Sequence, residues 1–300
     1  MLHNDKELFE QIILLTSYEL GIEPGIVEKD YYVTLVLKNI ALNQPHIVFR
    51  GGTSLSKCYK IINRFSEDID LNISGEAKPS EGVRKKLKDQ IISSFDSLDL
   101  TLSNSNNIYS RRDYNRYIAD YSSILGIGYR KPQLIIETAV FFRSYPNHMM
   151  EASSFIFEYL VNHHLEDLIE TYDLMPFSLN VQDASRTFVD KLFALGDYYL
   201  SGKISEHSRH IYDLYKLLDI VELDDTLQFL ALQVKNERKS HKTCLSAQDD
   251  INMNSLLQEI IDCAAYKQDY DSITSTLLFE PVDYATAITS LEKVIAAKIF

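Results

Sequence analysis

The stretch Ile47-Val-Phe-Arg-Gly-Gly-Thr-Ser-Leu-Ser-Lys57, followed by Asp68-Ile-Asp-Leu-Asn-Ile73, decides the fold that the sequence predicts. Its first three residues are β-branched or aromatic and predict a strand that ends at the turn signal Gly51-Gly52. Thr53 or Ser54 is expected to cap a short helix. The alternation of polar and apolar residues over 68–73 predicts a second strand. We therefore expect a strand, a glycine turn, a short helix and a second strand, in that order.

Asp68 and Asp70 are the candidate metal ligands of this stretch. Side chains alternate between the two faces of a strand, so both carboxylates share one face. Neighbouring carboxylates repel each other and are costly to desolvate, and a divalent cation removes that cost. Oxygen ligands of this kind suit Mg²⁺ or Mn²⁺. A solvated strand edge is the alternative explanation of the same two residues.

The glycine turn supplies a candidate phosphate site. Gly51 and Gly52 allow a ligand to approach the backbone closely, and N–H groups at the start of a helix suit phosphate. A phosphate-binding turn built from Gly51, Gly52, Thr53 and Ser54, next to paired metal-binding acids, predicts phosphoryl or nucleotidyl transfer. Ser66 precedes Asp68 by two residues, so we expect modification of its hydroxyl to block the site. A turn without a ligand is the structural alternative.

Two motifs carry a resemblance to a known family. Phe49-Arg-Gly-Gly-Thr-Ser-Leu-Ser-Lys57 and Arg64-Phe-Ser-Glu-Asp-Ile-Asp-Leu71 resemble the signature of the AbiEii/AbiGii-type nucleotidyltransferase toxins. These proteins are the toxin halves of bacterial abortive-infection toxin–antitoxin pairs, and they have a DNA polymerase β-like catalytic core. The segment Glu28-Lys-Asp-Tyr31 is similar to one that the family carries before its core, although a charged turn of a packing helix would look the same.

Two later segments extend the resemblance. Ser185–Leu195 resembles the helix that carries the family's lysine, which corresponds to Lys191. Ser208–Leu217 resembles its arginine–aspartate helix, which places the aspartate at Asp213. This chain has His210-Ile-Tyr212 where the family often has an acidic residue before the leucine–tyrosine–aspartate run, so a role that depends on that acid is in doubt.

The resemblance implies an α+β fold with a polymerase β-like core, a small mixed sheet with flanking helices, and a helical C-terminal part. We expect the catalytic part and the N-terminal helices in 1–150, and a mainly helical part that completes the active site in 151–300. The family core also needs a third acid from a neighbouring strand, and Glu137, in the strand-like run 133–140, fits that position. A glutamate on a surface edge is the alternative for Glu137.

The implied activity is that of a metal-dependent nucleotidyltransferase toxin. Asp68, Asp70 and Glu137 would hold Mg²⁺ or Mn²⁺, and a nucleoside triphosphate would be the substrate. Lys57 and Lys191 would offset charge on the transferred group, and Asp213 would orient Lys191 or the acceptor hydroxyl. The resemblance further implies an RNA acceptor, the 3′ end of tRNA, and a cognate antitoxin encoded nearby.

Composition is consistent with a cytoplasmic globular protein. The 300 residues carry a net charge of −13, and 45% of them are hydrophobic, so a polyanionic partner must meet a local basic patch. The three cysteines lack metal-ligand or paired spacing, which suits a reducing cytosol. The acidic N-terminus is unlike a signal peptide, and no apolar run approaches membrane-spanning length.

Several local patterns leave alternatives open. Helical spacing over 5–20 predicts a buried stripe of Leu8, Ile12, Leu15 and Tyr18. Three arginines among tyrosines suit nucleic acid or a nucleotide base as well as they suit an edge strand; they are Arg111, Arg112 and Arg116. His207 and His210 have the spacing of a metal pair, but the sequence shows no third ligand near them.

Two other functions fit the same residues. A small-molecule nucleotidyltransferase of the antibiotic-modifying type also uses a glycine–serine turn and an Asp-x-Asp motif, and the net charge of −13 favours a cationic substrate. A catalytically inactive nucleotide-binding module that acts through protein association is the third interpretation, against which the intact Asp68/Asp70 pair argues.

Overall fold

The structure is a computed structural model that describes residues 1–66, 68–75, 78–125 and 131–300. Two units divide the chain between them: unit 1 contains Met1–Tyr59 and Ser66–Gln182, and unit 2 contains Lys60–Phe65 and Asp183–Phe300. The position of the expected division, residue 150, lies within unit 1. The assignment of catalysis to 1–150 and of a completing role to 151–300 stays a prediction.

Unit 1 contains helices before and between its strands. Asp5 caps the first helix through a hydrogen bond from the Leu8 N–H, Gly21 ends it in the left-handed conformation, and Pro24 begins the second. The helices are α1 (Lys6–Leu20), α2 (Pro24–Asn43), α3 (Gly51–Lys57), α4 (Glu81–Ser97), α5 (Phe155–Asn162) and α6 (Glu166–Thr171), with short 3₁₀ segments at Leu2–Asn4 and Ser105–Asn107. The strands are β1 (Ile47–Arg50), β2 (Asp68–Ile73), β3 (Thr101–Leu102), β4 (Tyr114–Asp120), β5 (Gln133–Ala139), β6 (Asn147–Ala152) and β7 (Phe177–Gln182).

These strands form one mixed sheet in the order β3-β4-β5-β2-β1-β7-β6. The strand β2 pairs antiparallel with β1 and parallel with β5, and β1 pairs parallel with β7. The pairs β3/β4, β4/β5 and β6/β7 are antiparallel. The central strand β2 therefore lies between β1, which leads into the glycine turn, and β5, which carries Glu137.

The two faces of β2 differ as the alternation predicts. Ile69 and Leu71 are fully buried in the core, whereas Asp68 and Asp70 are half-buried on the opposite face. Burial of the two apolar side chains fixes the register, because a slip by one residue would move the acids into the core. The predicted α+β class, with a mixed sheet, flanking helices and a helical C-terminal part, is confirmed.

The predicted buried stripe of α1 is confirmed at Ile12, which is buried, but is wrong at Leu15 and Tyr18. Leu15 and Tyr18 are 52% and 89% exposed, and α1 instead buries Phe9 and Ile13, among others. The ring of Phe9 packs against Tyr31 of α2 with 4.6 Å between ring centroids. Apolar residues occupy both sides of α1, so its periodicity allows either side to be buried. The aromatic contact with α2 decides which side that is.

The predicted cap of α3 by Thr53 or Ser54 is also wrong. The helix begins at Gly51, and Arg50 occupies the N-cap position without a side-chain hydrogen bond. The hydroxyl of Thr53 donates to the Asp68 carbonyl oxygen at 2.5 Å, and that of Ser54 donates to the Gly51 carbonyl oxygen at 2.8 Å. The Thr53 hydroxyl therefore attaches the turn to β2, and the Ser54 hydroxyl stabilises the turn itself.

Unit 2 is helical. The segment Lys267–Leu277 winds through a π-helical stretch at Tyr270–Thr274, and Leu245–Ala247 is a 3₁₀ turn. The helices are α7 (Ala184–Leu200), α8 (Arg209–Leu217), α9 (Asp225–Arg238), α10 (Met253–Asp262), α11 (Lys267–Asp269), α12 (Ser275–Leu277) and α13 (Tyr284–Ala296). In the described ranges, no helix combines the length and the apolarity needed to cross a bilayer.

The segment Lys60–Phe65 belongs to unit 2 because its backbone pairs with the chain after α12. The N–H of Phe65 donates to the Leu277 carbonyl at 2.9 Å, and the N–H of Phe279 donates to the Asn63 carbonyl at 2.8 Å. Between them, Arg64 and Leu278 form an antiparallel bridge. This pairing fixes the backbone of Arg64.

Candidate active site

A row of charged side chains crosses four adjacent strands of unit 1. The paired residues are Arg50 with Asp70, Asp70 with Glu137, and Glu137 with Arg116. Residues directly opposite each other in a sheet project from the same face. Asp68 projects from that face as well, two residues before Asp70. The structure therefore places the three predicted acids on one face, with an arginine at each end of the row.

Gly51 is required for the approach of the turn to Asp70. A Cβ on Gly51 would lie 2.1 Å from Asp70 Oδ2, closer than two such atoms can come, and the φ of Gly51 is +77°. Only glycine combines this left-handed backbone with the absent side chain. The acid therefore lies directly against the start of the turn.

Glu137 is held by two side chains of β4. The hydroxyl of Tyr114 donates to Glu137 Oε1 at 2.8 Å, and Arg116 Nε lies 3.6 Å from the same oxygen. Burial, followed by this hydrogen bond to a carboxylate, raises the pKa of Tyr114, and the negative charge of Asp70 acts in the same direction. Glu137 is therefore paired in the sheet, which accounts for a carboxylate in a largely buried strand.

The donor set has the chemistry that a hard divalent cation needs. Three carboxylates on one face offer only oxygen ligands, and the absence of a side chain at Gly51 lets the Asp70 carboxylate lie against the turn. No group of three or more His, Cys, Asp or Glu side chains within the described ranges is already arranged as a metal-binding cluster. The residues fit such an ion by type and by face, while Glu137 is engaged by Tyr114 and Arg116.

The hydroxyls of the predicted phosphate turn are engaged inside the protein. Thr53 and Ser54 are at most 1% exposed. The Thr53 hydroxyl lies 3.0 Å from the Ser66 hydroxyl, so the predicted modification site Ser66 contacts the turn itself. Thr53 and Ser54 therefore have backbone groups, rather than hydroxyls, to offer a phosphate.

Lys57 does not lie with the other predicted phosphate ligands. Its side chain is only 4% exposed, and Nζ donates to Asp30 Oδ1 at 2.5 Å and to Thr34 Oγ1 at 2.6 Å. The other oxygen of Asp30 accepts from the N–H of Phe155, the first residue of α5, at 2.9 Å. Burial raises the pKa of Asp30, an effect that Lys57 opposes. The pair ties α3 to α2 and to the start of α5.

Glu28, which belongs with Asp30 to the segment 28–31 quoted above, is also buried. It accepts hydrogen bonds from the Ser123 hydroxyl at 2.7 Å and from the Ile124 N–H at 2.8 Å. Burial raises the pKa of Glu28, and these two bonds oppose the rise. The structure thus places the acidic residues of 28–31 in packing contacts of α2.

Unit 2 brings together Lys191 and Asp213, as the resemblance implies, and adds Arg64. Lys191 Nζ lies 2.6 Å from Asp213 Oδ2. Arg64 binds both oxygens of Asp213, through Nε at 2.7 Å and Nη2 at 2.8 Å, and its Nη1 donates to the Phe65 carbonyl at 2.8 Å. We call Arg64, Lys191 and Asp213 the unit 2 triad; all three side chains are buried.

The charges of the triad shift each other's protonation. Burial by itself would raise the pKa of Asp213, but Arg64 and Lys191 hold it well below its usual range. Burial lowers the pKa of Lys191; Asp213 opposes this change and Arg64 adds to it. Asp213 therefore stays ionised, and Lys191 gives up its proton more readily than an exposed lysine.

The possible metal pair formed by His207, which precedes α8, and His210, within α8, does not gain a third ligand in the described residues. The rings of His207 and His210 stack with Tyr198, with His207 3.4 Å and His210 5.9 Å from the Tyr198 ring centroid. Burial lowers the pKa of both histidines, that of His210 further. In the part of the chain that the structure describes, no other candidate ligand completes a site with them.

The sequence patterns assign no role to Arg64 and include Tyr114 only as one of the tyrosines near the three arginines; the structure places both residues in these contacts. Arg64 stands in the quoted motif, and a buried aspartate such as Asp213 needs a cationic partner, so that requirement could have identified it. Tyr114 has no comparable signal, because its contact with Glu137 depends on the register of β4 against β5.

Comparison with solved structures finds a similar fold over most of the chain. Among solved structures, the chain is similar in fold to the nucleotidyltransferase toxin MenT4 from Mycobacterium tuberculosis H37Rv, with 15% identity, a TM-score of 0.56, and coverage of 95% of this chain and 88% of that chain. It also aligns with JHP933 from Helicobacter pylori at 17% identity and a TM-score of 0.44, covering 90% of this chain and 89% of that one.

No curated protein matches the sequence. A family model, described as the nucleotidyl transferase AbiEii toxin of a type IV toxin–antitoxin system, matches residues 36–296. That range contains the acids of the sheet, the glycine turn and the unit 2 triad. The chain belongs to the AbiEii family of nucleotidyltransferase toxins from type IV toxin–antitoxin systems.

Proposed function

We propose that this nucleotidyltransferase toxin transfers a nucleoside monophosphate from a nucleoside triphosphate to RNA, at the 3′ end of a tRNA, in a divalent-metal-dependent reaction. The observation that carries the proposal is the placement of Asp68, Asp70 and Glu137 on one face of the sheet, with the Gly51 backbone directly against Asp70. Acids beside a glycine turn suit a metal-bound triphosphate.

Each group of residues has a distinct task in this proposal. Asp68, Asp70 and Glu137 would hold Mg²⁺ or Mn²⁺, which when bound would neutralise phosphate charge and align the reacting oxygens. The turn 51–54 would receive the triphosphate through its backbone. Since Lys57 is buried against Asp30, we propose for it the task of holding α3 in place, and the cation for the phosphates would be Lys191.

The transfer is a substitution at the α-phosphorus. An acceptor hydroxyl oxygen forms the new bond to phosphorus while the bond to the bridging oxygen of the β-phosphate breaks, and pyrophosphate leaves. The acceptor hydroxyl gives up its proton during the attack. Lys191, held as its ammonium by Asp213, would offset the charge on the transferred group, and the proton of the acceptor hydroxyl would pass to solvent.

The test is induced expression in a bacterial host, with the wild type beside Asp70→Asn. We expect growth arrest and transfer of α-labelled nucleotide to small RNA from the wild type, and loss of both in the variant, because the amide cannot replace an anionic ligand. Asp173→Asn is the matched control: Asp173 is 82% exposed and pairs with Lys38, so arrest should persist. Label in small molecules rather than RNA would refute the proposed acceptor, and arrest by Asp70→Asn would refute the proposed catalysis.

Membership of a type IV system implies an antitoxin partner, and we propose that a neighbouring gene encodes it. Ser66 offers one route of control, because a phosphate on its hydroxyl would place negative charge against Thr53 and two residues before Asp68. Ser66→Glu should therefore abolish labelling, whereas Ser66→Ala should keep it. Full toxicity of Ser66→Glu would contradict this role.

A further inference from the structure

Glu137 lies in the only row of the described sheet in which two acids stand directly opposite each other between arginines. Asp70 and Glu137 are neighbours across β2 and β5, while Arg50 and Arg116 occupy the two ends of the row. Like charges directly opposite in a sheet are destabilising. In the absence of a metal ion, the cations at the ends of the row offset that repulsion.

The contacts of Glu137 are concentrated on one oxygen. Oε1 accepts the hydrogen bond from Tyr114 at 2.8 Å and faces Arg116 Nε at 3.6 Å. The side chains of Glu137 and Arg116 are 29% and 49% exposed, so solvent and ions reach the pair. Tyr114 and Arg116 both lie on β4, the neighbour of β5 on the side away from Asp70. They therefore direct this oxygen toward β4.

A carboxylate oxygen that accepts a hydrogen bond from Tyr114 and faces the guanidinium of Arg116 has less negative charge to offer a second cation. Glu137 would hold a divalent ion with the same negative charge that attracts the guanidinium of Arg116, so binding of one cation would weaken binding of the other. The tyrosine adds a neutral donor to the same competition. Metal binding must therefore overcome contacts that the protein already makes.

We propose that Tyr114 and Arg116 form a latch on Glu137 that serves as its counter-ion without metal and is displaced when a divalent cation binds. The inference rests on the proposed function, since it takes Glu137 as the third metal acid. Tyr114 and Arg116 are positioning residues in this scheme, and they set how much metal the site requires. The latch weakens metal binding in exchange for a stable acid row in the metal-free protein.

The test measures Mn²⁺ binding to the full chain without nucleotide, by electron paramagnetic resonance of the unbound ion and by calorimetry. Arg116→Gln and Tyr114→Phe should each tighten Mn²⁺ binding, by about two- to fivefold, the range of a partly exposed ion pair. Arg111→Gln is the matched control: Arg111 is 85% exposed and pairs with Glu81, so the same loss of charge should leave the affinity unchanged.

A double-mutant cycle with Glu137→Gln separates the latch from general electrostatics. The gain from Arg116→Gln should vanish in the Glu137→Gln background, because the carboxylate that the arginine holds is gone. A gain that persists there would come from net charge alone and would overturn the latch. Equal affinities of wild type and Arg116→Gln would overturn it as well.

Weaker binding by Tyr114→Phe would show that β4 holds Glu137 in its metal-binding orientation, as outer partners of metal ligands commonly do, and would also overturn the latch. A wild type that binds no Mn²⁺, or binds it equally well after Asp70→Asn, would instead refute the metal site of the proposed function. The failure of either idea is thus recognisable on its own. Circular dichroism and thermal unfolding of each variant confirm that the fold is intact.

Discussion

At the scale of single residues, the contact between Gly51 and Asp70 is the tightest constraint on the acid face. We expect Gly51→Ala to abolish nucleotidyl transfer, because its Cβ would lie 2.1 Å from Asp70 Oδ2 and must displace that carboxylate. The left-handed φ adds about 1–2 kcal/mol of backbone strain. Incorporation of α-labelled nucleotide into RNA, followed beside thermal unfolding, measures both effects.

Gly21→Ala provides the matched control for this substitution. Gly21 has a φ of +66°, but a Cβ there would meet nothing within 4 Å. The two variants therefore share the backbone strain and differ in the clash with Asp70. Gly21→Ala should lose stability and keep its activity, and a Gly51→Ala protein as active as Gly21→Ala would show that the position of Asp70 tolerates displacement.

At the scale of elements, the buried Lys57–Asp30 pair decides how α3 is held against α2 and α5. Lys57→Met alone should destabilise the protein by about 3–5 kcal/mol, since it leaves Asp30 buried without its cation. Lys57→Met combined with Asp30→Leu removes both charges and should recover much of that loss. Chemical denaturation of the single and double variants measures the difference.

The same pair of variants tests the role that the sequence implied for Lys57. If Lys57 only anchors α3, the double variant should bind nucleoside triphosphate with nearly the wild-type KM. If the double variant recovers its stability but has a strongly raised KM, Lys57 contributes to phosphate binding as the sequence implied. Lys38→Met with Asp173→Leu is a control, because that pair is largely exposed at Asp173 and should change neither quantity.

The elements show which features the sequence could predict. The alternation in 68–73 is sufficient to place Asp68 and Asp70 on one face, because only one orientation of the strand buries both Ile69 and Leu71. Periodicity was correct for Ile12 of α1 but failed for Leu15 and Tyr18, because apolar residues lie on both sides of that helix and contact with α2 decides which of them are buried. It also gave no strand at β6, whose residues Asn147–Ala152 have weak strand character and pair with β7.

Some site residues could likewise be predicted from local sequence, and others could not. Local motifs identified Asp68, Asp70 and the glycine turn, while Glu137, Lys191 and Asp213 came from the resemblance. The partners of Glu137 and Lys57 are 21 or more residues away along the chain, and their contacts depend on tertiary packing that local spacing does not encode. The phosphate role predicted for Lys57 rested on its place in the motif, which gives no information about Asp30.

At the scale of the whole molecule, the division of the chain follows pairing rather than sequence order. Residues 60–65 lie between the two halves of the quoted motif, yet they belong to unit 2, because Phe65 and Asn63 pair with Leu277 and Phe279. Contacts across more than 200 residues leave no trace in composition, so the sequence predicted a division near residue 150. Both halves of the motif therefore belong to unit 1, whereas residues 60–65 of the connection between them belong to unit 2.

The unit 2 triad holds residues 60–65 in place, because Arg64 lies in that segment and is bound to Asp213. In Asp213→Asn, Arg64 and Lys191 stay buried without their shared carboxylate, at a cost of about 3 kcal/mol or more. We expect the N–H groups of Phe65 and Phe279 to exchange with solvent on the order of a hundredfold faster, because their pairing loses the support of Arg64. Hydrogen exchange followed by mass spectrometry of the full chain measures this directly.

The expected pH dependence has a definite sign. The pKa of Asp213 is lowered in the folded protein, so its contribution to stability is present above the ordinary carboxyl value and is lost as the pH falls through the folded value. The difference between wild type and Asp213→Asn should therefore be largest near neutral pH and shrink in strong acid. Asp219→Asn is the control, since Asp219 is 64% exposed and pairs with Lys216. Exchange of Phe65 and Phe279 at the wild-type rate in Asp213→Asn would mean that backbone pairing holds residues 60–65 without the triad, and that Asp213 is retained for its chemistry with Lys191.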